Sequence, residues 1–302
     1  VINFSYSFKT TPTGLQLTPC QIANVQRALR AGKLILLYKG QIIKMEFPDD
    51  INNLIMQQLA ISNTINQLKS KKVGEKPIVD GVIDPVKYIN SEFKILWILR
   101  EARDVWKKKE NGEMSIGGWD LVNGLYKKAS YDKICNNTTT RRELLINYSI
   151  LNNIKYSKED IKKYSTISSK EEKDKAVISF QTTAVINVKK FPGKKTSIKK
   201  EIDKAYKNTK DILIMQIETY NPNIVICGNT LSLFENELDY KKGACFPLGM
   251  GKKKYYCLPG RIYINAYHPS YKYRKNSTYE HHYISKIIEA VDNWKINFYK
   301  KS

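Results

Sequence analysis

Acid is scarce in this chain. Against 51 Lys and Arg stand only 29 Asp and Glu, leaving a formal net charge of +22. That imbalance excludes a charge-neutral surface and points to a polyanionic partner bound in a salt-dependent way. An AT-rich coding bias accounts for part of the Lys, Asn, Ile and Tyr content, but not for the missing acid. Cysteine is also sparse. Cys20, Cys135, Cys227, Cys245 and Cys257 form no CxxC pair and are odd in number. This argues against a disulfide framework or a zinc site and fits a reducing compartment. No apolar run approaches the length of a membrane span, and the N-terminus lacks a charged-then-apolar signal pattern. No GxxxxGK[ST] or GxGxxG loop is present, which counts against a nucleotide-dependent α/β enzyme. Histidine is confined to His268, His281 and His282.

What remains is ample for a folded domain. Hydrophobic residues make up 42% of the 302, and 20 of them are Tyr, whose faces can stack on bases. Residues 1–75 read as a small accessory module. Thr18-Pro19 starts a helix carrying Ile22, Val25, Ala28 and Leu29 at helical spacing, stopped at Gly32. A hairpin follows over 34–38 and 41–45, then a second helix over 50–69. Residues 76–92, with Pro77, Gly81 and Pro85, read as a linker.

From residue 93 the pattern changes to short apolar runs separated by helical stretches. The runs are Phe93 to Leu99, Thr183 to Val188, Asn223 to Cys227 and Arg261 to Tyr267. Helices are expected near 119–129, 141–152, 196–220, 229–236 and 278–297. The last presents Ile284, Ile287, Ile288, Val291 and Trp294 on one face. Residues 153–178 and 189–210 are Lys-rich and read as solvated loops and helix faces. The alternation predicts a three-layer αβα sandwich with a mainly parallel central sheet over 93–302. Ligands of such folds sit at the carboxyl ends of the strands.

Those strand ends carry polar chemistry. Arg100-Glu101-Ala102-Arg103-Asp104 follows the first strand, and Glu101 taken alone reads as an ion-pair partner of Arg100 or Arg103. Asn187-Val188-Lys189-Lys190-Phe191-Pro192-Gly193 follows the second. An Asn amide donates and accepts at once, as reading a base edge requires, though Asn more often satisfies loop backbone. His268-Pro269-Ser270 follows the fourth. The Tyr271 to Lys275 stretch beyond it mixes aromatic faces with cations.

Their order along the chain resembles the uracil-DNA glycosylase superfamily over roughly residues 93–300. The motifs that carry the resemblance are Gly117-Gly118-Trp119, Asn187 to Gly193, Asn221 to Asn229 and Tyr267 to Ser270. The resemblance implies a DNA glycosylase that flips a base out of the helix and hydrolyses its bond to the sugar. It assigns water positioning to Glu101, with Asp104 as the fallback, and donation to the departing base to His268. Asn187 would read the base and Trp119 would stack on it. Ser270, Lys189, Lys190 and Arg274 would meet phosphate, and Tyr271 and Tyr273 would enter the duplex. Neither cofactor nor metal is implied, and the iron–sulfur branches' clustered cysteines have no equivalent. The expected partner is DNA, with no membrane, for a cytoplasmic or nucleoid-associated monomer.

The chain departs from the family where Arg100 and Arg103 replace the usual Gly and Pro around the acidic residue. It also lacks the Tyr that excludes 5-substituted bases, so the substrate extends beyond uracil to modified pyrimidines, with a role in repair or in defence against phage. Two other readings stay open. One is a non-catalytic DNA-binding protein on the same fold, the other an α/β enzyme acting on nucleotides or RNA.

Overall fold

The computed structural model describes residues 34–38, 41–45, 48–70, 72–103, 106–108, 114–157, 167–193, 198–271 and 278–299. The expected helix near residue 18 and the residues Asp104, Tyr273 and Arg274 lie outside the described residues.

The hairpin pairs as expected, β1 (Leu34–Tyr38) antiparallel to β2 (Gln41–Met45). Helix α1 (Asp49–Asn66) follows Pro48 and opens with two acids, Asp49 and Asp50, suited to the positive end of its dipole. Short strands β3 (Glu75–Lys76) and β4 (Gly81–Val82) lead to α2 (Pro85–Ile89), capped by Asp84, whose side chain accepts from the Val86 and Lys87 N–H groups. Strand β5 (Ile95–Arg103) is followed by β6 (Trp106–Lys108) and β7 (Met114–Gly117). A π-helical turn over Leu121–Tyr126 leads into helices α3 (Tyr131–Cys135), α4 (Thr138–Asn152) and α5 (Lys170–Gln181). Strand β8 (Thr183–Gly193), helix α6 (Lys199–Tyr220) and strand β9 (Ile224–Gly228) come next. The chain continues through β10 (Ala244–Pro247), β11 (Lys254–Leu258), β12 (Arg261–Ala266) and α7 (Thr278–Asn297).

Seven strands form one sheet in the order β10-β11-β12-β9-β5-β8-β4. The protein is therefore α/β with a mixed sheet. The four strands anticipated from the apolar runs are parallel, while the edge strands β10 and β4, and β11 inside β10, pair antiparallel. The expectation of a mainly parallel sheet holds only for that centre. Strands β10 and β11 escape the pattern because they are short and leave most of their residues exposed or half-buried. Helix 229–236 is also shorter than expected, a single 3₁₀ turn at Leu231–Phe234.

Both faces of the sheet are covered. On one, Ile95, Trp97 and Leu99 of β5 pack with Leu144 of α4, Phe180 of α5, and Ile284, Ile287 and Trp294 of α7. On the other, Leu96 and Ile98 pack with Ile61 and Ile65 of α1 and Leu213 and Ile217 of α6. Alternation along β5 thus supplies both layers, as expected for a strand buried on two sides.

Two boundaries read from sequence are corrected. Helix α1 is not part of a separate module, because Ile61 and Ile65 are fully buried in the same core as the sheet. Residues 76–92 are not a linker. β4 joins the sheet beside β8, and Asp80 is 1% exposed inside it. Of the Pro and Gly residues that resembled a linker, Gly81 belongs to strand β4 and Pro85 to the first turn of α2. At Gly81, φ is +152°, and an added Cβ would fall 2.5 Å from the Tyr220 hydroxyl.

Candidate functional site

Chain order and strand order locate the site. The chain runs β5 to β8 on one side, then crosses back through α6 to β9 and on to β12. The connections leave β5 and β9 in opposite directions. Their carboxyl ends therefore open a crevice, the usual ligand position of an open α/β sheet. Arg100 and Glu101 stand at the end of β5, and Gly228 and Asn229 at the end of β9.

Glu101 lies within β5 rather than after it. In the parallel register it faces Lys189, and the pairing becomes irregular before Arg103 meets Gly193. Lys189 Nζ donates to Glu101 Oε2 at 2.9 Å, and the carboxylate is 3% exposed. The partner anticipated among Arg100 and Arg103 is replaced by this cross-strand lysine. Gly193 is required here, since a Cβ would stand 1.9 Å from the Glu101 carboxyl carbon. Pro192 packs on Gly117, whose own Cβ would meet it at 2.9 Å. Gly117 and Gly118 both adopt left-handed backbone, φ 79° and 72°. Trp119 follows, half-buried against the core, and its carbonyl accepts from Val79 N–H at 2.9 Å. The Gly-Gly-Trp segment and the Asn187–Gly193 segment are thus neighbours in space.

Two of the anticipated contacts change meaning. Lys190 is not a phosphate ligand, because it is fully buried. It donates to Asp80 Oδ1 at 2.6 Å and to Gln216 Oε1 at 2.7 Å. Burial pushes its pKa down, with the Asp80 carboxylate pulling the other way. The sequence hides this because β8 continues to Gly193, so Lys190 points into the α6 layer as a strand residue instead of out of a loop. Asn187 is 3% exposed; its backbone N–H donates to Asp80 Oδ2 at 2.7 Å, and its side-chain amide lies 3.4 Å from the same oxygen.

His268 sits in a tight turn after β12. Tyr271 N–H donates to the His268 carbonyl at 2.8 Å, with Pro269 fixing the turn's second residue. Ser270 N–H donates to His268 Nδ1 at 3.1 Å, and Ser270 Oγ lies 2.8 Å from the same nitrogen. A backbone N–H only donates, so Nδ1 is the acceptor and the ring proton resides on Nε2. Burial, then the Arg100 guanidinium, hold the His268 pKa down at about 4. The imidazole is therefore neutral at physiological pH and offers one donor. Gly228 lies beside this turn: a Cβ there would come 3.1 Å from Leu99 Cδ2 and into ordinary contact with the His268 Cα at 3.4 Å. Ser270 is exposed. Tyr271 is 41% exposed, its ring stacked on Tyr267 at 4.7 Å and 13°.

The turn is held from below by Arg142 of α4, which the sequence reading missed. Its Nη1 donates to the carbonyl of Pro269 and, at 2.9 Å, to that of Tyr271. Its guanidinium lies 5.3 Å from the centre of the Tyr283 ring. Next to it, Glu143 is fully buried with no hydrogen bond to either carboxylate oxygen, and burial raises its pKa to about 8. The available signal was a charged pair embedded at the start of the Leu144-Leu145-Ile146 run.

Adjacent strands are about 4.8 Å apart, so β9 alone separates the ends of β5 and β12 by roughly 10 Å. Among the described residues, no group of three His, Cys, Asp or Glu is placed to hold a metal ion, and no helix is long and apolar enough to cross a membrane. No family model, no curated protein and no solved structure matches the chain.

Proposed function

We propose that the protein is a DNA glycosylase of the uracil-DNA glycosylase type, built as an αβα sandwich around its four parallel strands. The observation that carries this reading is the neutral, Nε2-protonated His268 at the end of β12, across one strand from the Glu101 carboxylate at the end of β5. A base bonded to deoxyribose leaves with the electron pair of the broken C1′–N bond. A preorganised neutral donor stabilises the anion as it forms without first costing a proton. In this reading Glu101 supports the positive charge developing on the sugar and accepts a proton from the attacking water. The water oxygen becomes the new hydroxyl on C1′, and the base ends protonated. A paired base lies out of reach inside the duplex, so flipping is required, at a cost of a few kcal/mol. The net charge of +22 and the exposed Tyr271 fit that task.

A second reading is a DNA-binding protein that keeps the fold without turnover. The Glu101–Lys189 pair favours it, because the carboxylate is already engaged and 3% exposed. Base release from DNA containing uracil, hypoxanthine or 5-substituted pyrimidines, detected by alkaline cleavage, separates the two. Release lost in Glu101→Gln and in His268→Ala supports the glycosylase. Tight, salt-sensitive binding with no release on any substrate supports the alternative.

A further inference from the structure

Positive charge converges at the crevice without a facing carboxylate among the described residues. Arg100 stands two residues beyond the Ile98–Cys227 pairing, level with Asn229 at the end of β9. Lys253 reaches the same place from the turn between β10 and β11. Gly249 and Gly251 shape that turn with left-handed backbone, φ 73° and 58°. Leu248 N–H donates to the Lys253 carbonyl at 2.9 Å, and Lys253 N–H donates to the Met250 carbonyl at 3.2 Å. The ammonium donates to Asn229 Oδ1 and lies 4.7 Å from the centre of the Tyr267 ring. Arg100 is near enough to lower the pKa of both Lys253 and His268, after burial. Glu101, the nearest acid in sequence, is taken by Lys189. Among the described residues Arg100 itself has no hydrogen-bond or ion-pair partner.

The two cations drawn together repel one another, and partial burial strengthens the repulsion. Asn229 offers Lys253 an oxygen but no negative charge. The arrangement is stable once an anion occupies it. A guanidinium fork offers paired donors, the ammonium a point charge, and Nε2–H of His268 a single aimed donor.

We propose that Arg100, Lys253 and the Nε2–H of His268 form one anion-binding site at the carboxyl ends of β5, β9 and β12. Its ligand is a compact anion whose oxygens or ring nitrogens accept hydrogen bonds. The identity of that anion rests on the glycosylase reading, which offers two sources of the same chemistry: the base as it departs, and a backbone phosphate of the flipped nucleotide. Arg100 and Lys253 then supply the positive charge that the neutral His268 lacks.

The test uses the full chain labelled with ¹⁵N-histidine and follows the His268 Nε2 resonance. One arm titrates inorganic phosphate. The other titrates free 5-fluorouracil at mildly acidic pH, where it is neutral, and at alkaline pH, where it is an anion. The expected result is saturable movement of the resonance with phosphate or with the anionic base, weakened roughly tenfold in Arg100→Met and in Lys253→Met. Arg100→Gln and Lys253→Gln replace a Met variant that fails to fold. A response to phosphate alone assigns the backbone as the source, and a response to the anionic base assigns the leaving group. No movement with either probe, or equal affinity in the variants and the parent, overturns the proposal. Anion binding without base release from any DNA would leave this site standing and remove the glycosylase. Base release with no anion binding, and unchanged kcat/KM in the variants, would do the reverse.

Discussion

Replacing Lys190 by Met should unfold the protein more readily without touching DNA binding. Lys190 and Asp80 are 0% and 1% exposed and share a 2.6 Å hydrogen bond. Removing the ammonium leaves a carboxylate deep in the α6 layer with only Gln216 Nε2 and the Asn187 backbone N–H and side-chain amide as donors. Breaking a buried pair from one side costs about 3–5 kcal/mol, because the remaining charge is uncompensated. Removing both charges in Asp80→Asn/Lys190→Met should recover about 2 kcal/mol of that loss, since the pair's desolvation cost disappears with it. Urea unfolding of the parent, both single variants and the double variant measures the cycle. A lysine touching phosphate would lower the slope of log affinity against log salt by about one, and here the slope should not change. Lys190→Met within about 1 kcal/mol of the parent, or a slope lower by one, would refute the burial argument.

Other consequences follow from the same geometry. Glu143 holds its proton up to about pH 8 when folded and only to about 4.5 when unfolded, so stability falls as pH rises through that window and levels off above it. Glu143→Gln removes the penalty and should exceed the parent in stability by about 5 kcal/mol above pH 8, with little difference near pH 4; parallel urea midpoints across that range would contradict this. His268 should titrate near pH 4 by NMR and move toward 6.5 in Arg100→Met, so a parent value near 6.5 would remove the neutral-donor argument. Gly193→Ala forces a methyl onto the Glu101 carboxyl and should lower base release at least about tenfold with DNA affinity retained; unchanged release would show that Glu101 need not hold its place. Arg142→Met frees the carbonyls of Pro269 and Tyr271 and should cost about 2–4 kcal/mol as well as activity, read by unfolding and by base release on the same preparation.

The parts of the fold legible in the sequence were those set by burial on both faces. Ile95 to Leu99, Ala184 to Ile186 and Ile224 to Cys227 are continuous apolar runs because helices cover both sides of the sheet. The short strands β10 and β11 could not be read this way, since most of their residues are exposed or half-buried. Residues 76–92 misled because Gly also serves a strand packed close to a buried side chain, and Pro the first turn of a helix, as readily as either marks a linker. Within the site, Glu101, Asn187 and His268 could be singled out because strand ends are where such folds keep polar groups. Lys190 could not be separated from Lys189. Only the strand's continuation to Gly193 puts one lysine beside Glu101 and the other beside Asp80. Arg142 and Lys253 act from a distant helix and a distant turn, and no local pattern links either of them to His268.

The central claim is base release, and one measurement addresses it most directly. Duplex and single-stranded DNA carrying uracil, hypoxanthine or 5-substituted pyrimidines is incubated with the protein and then treated with alkali. The account predicts cleavage at one class of base, dependent on alkali and lost in both Glu101→Gln and His268→Ala. Intact DNA across the panel with binding preserved, or release undiminished in those two variants, would contradict it.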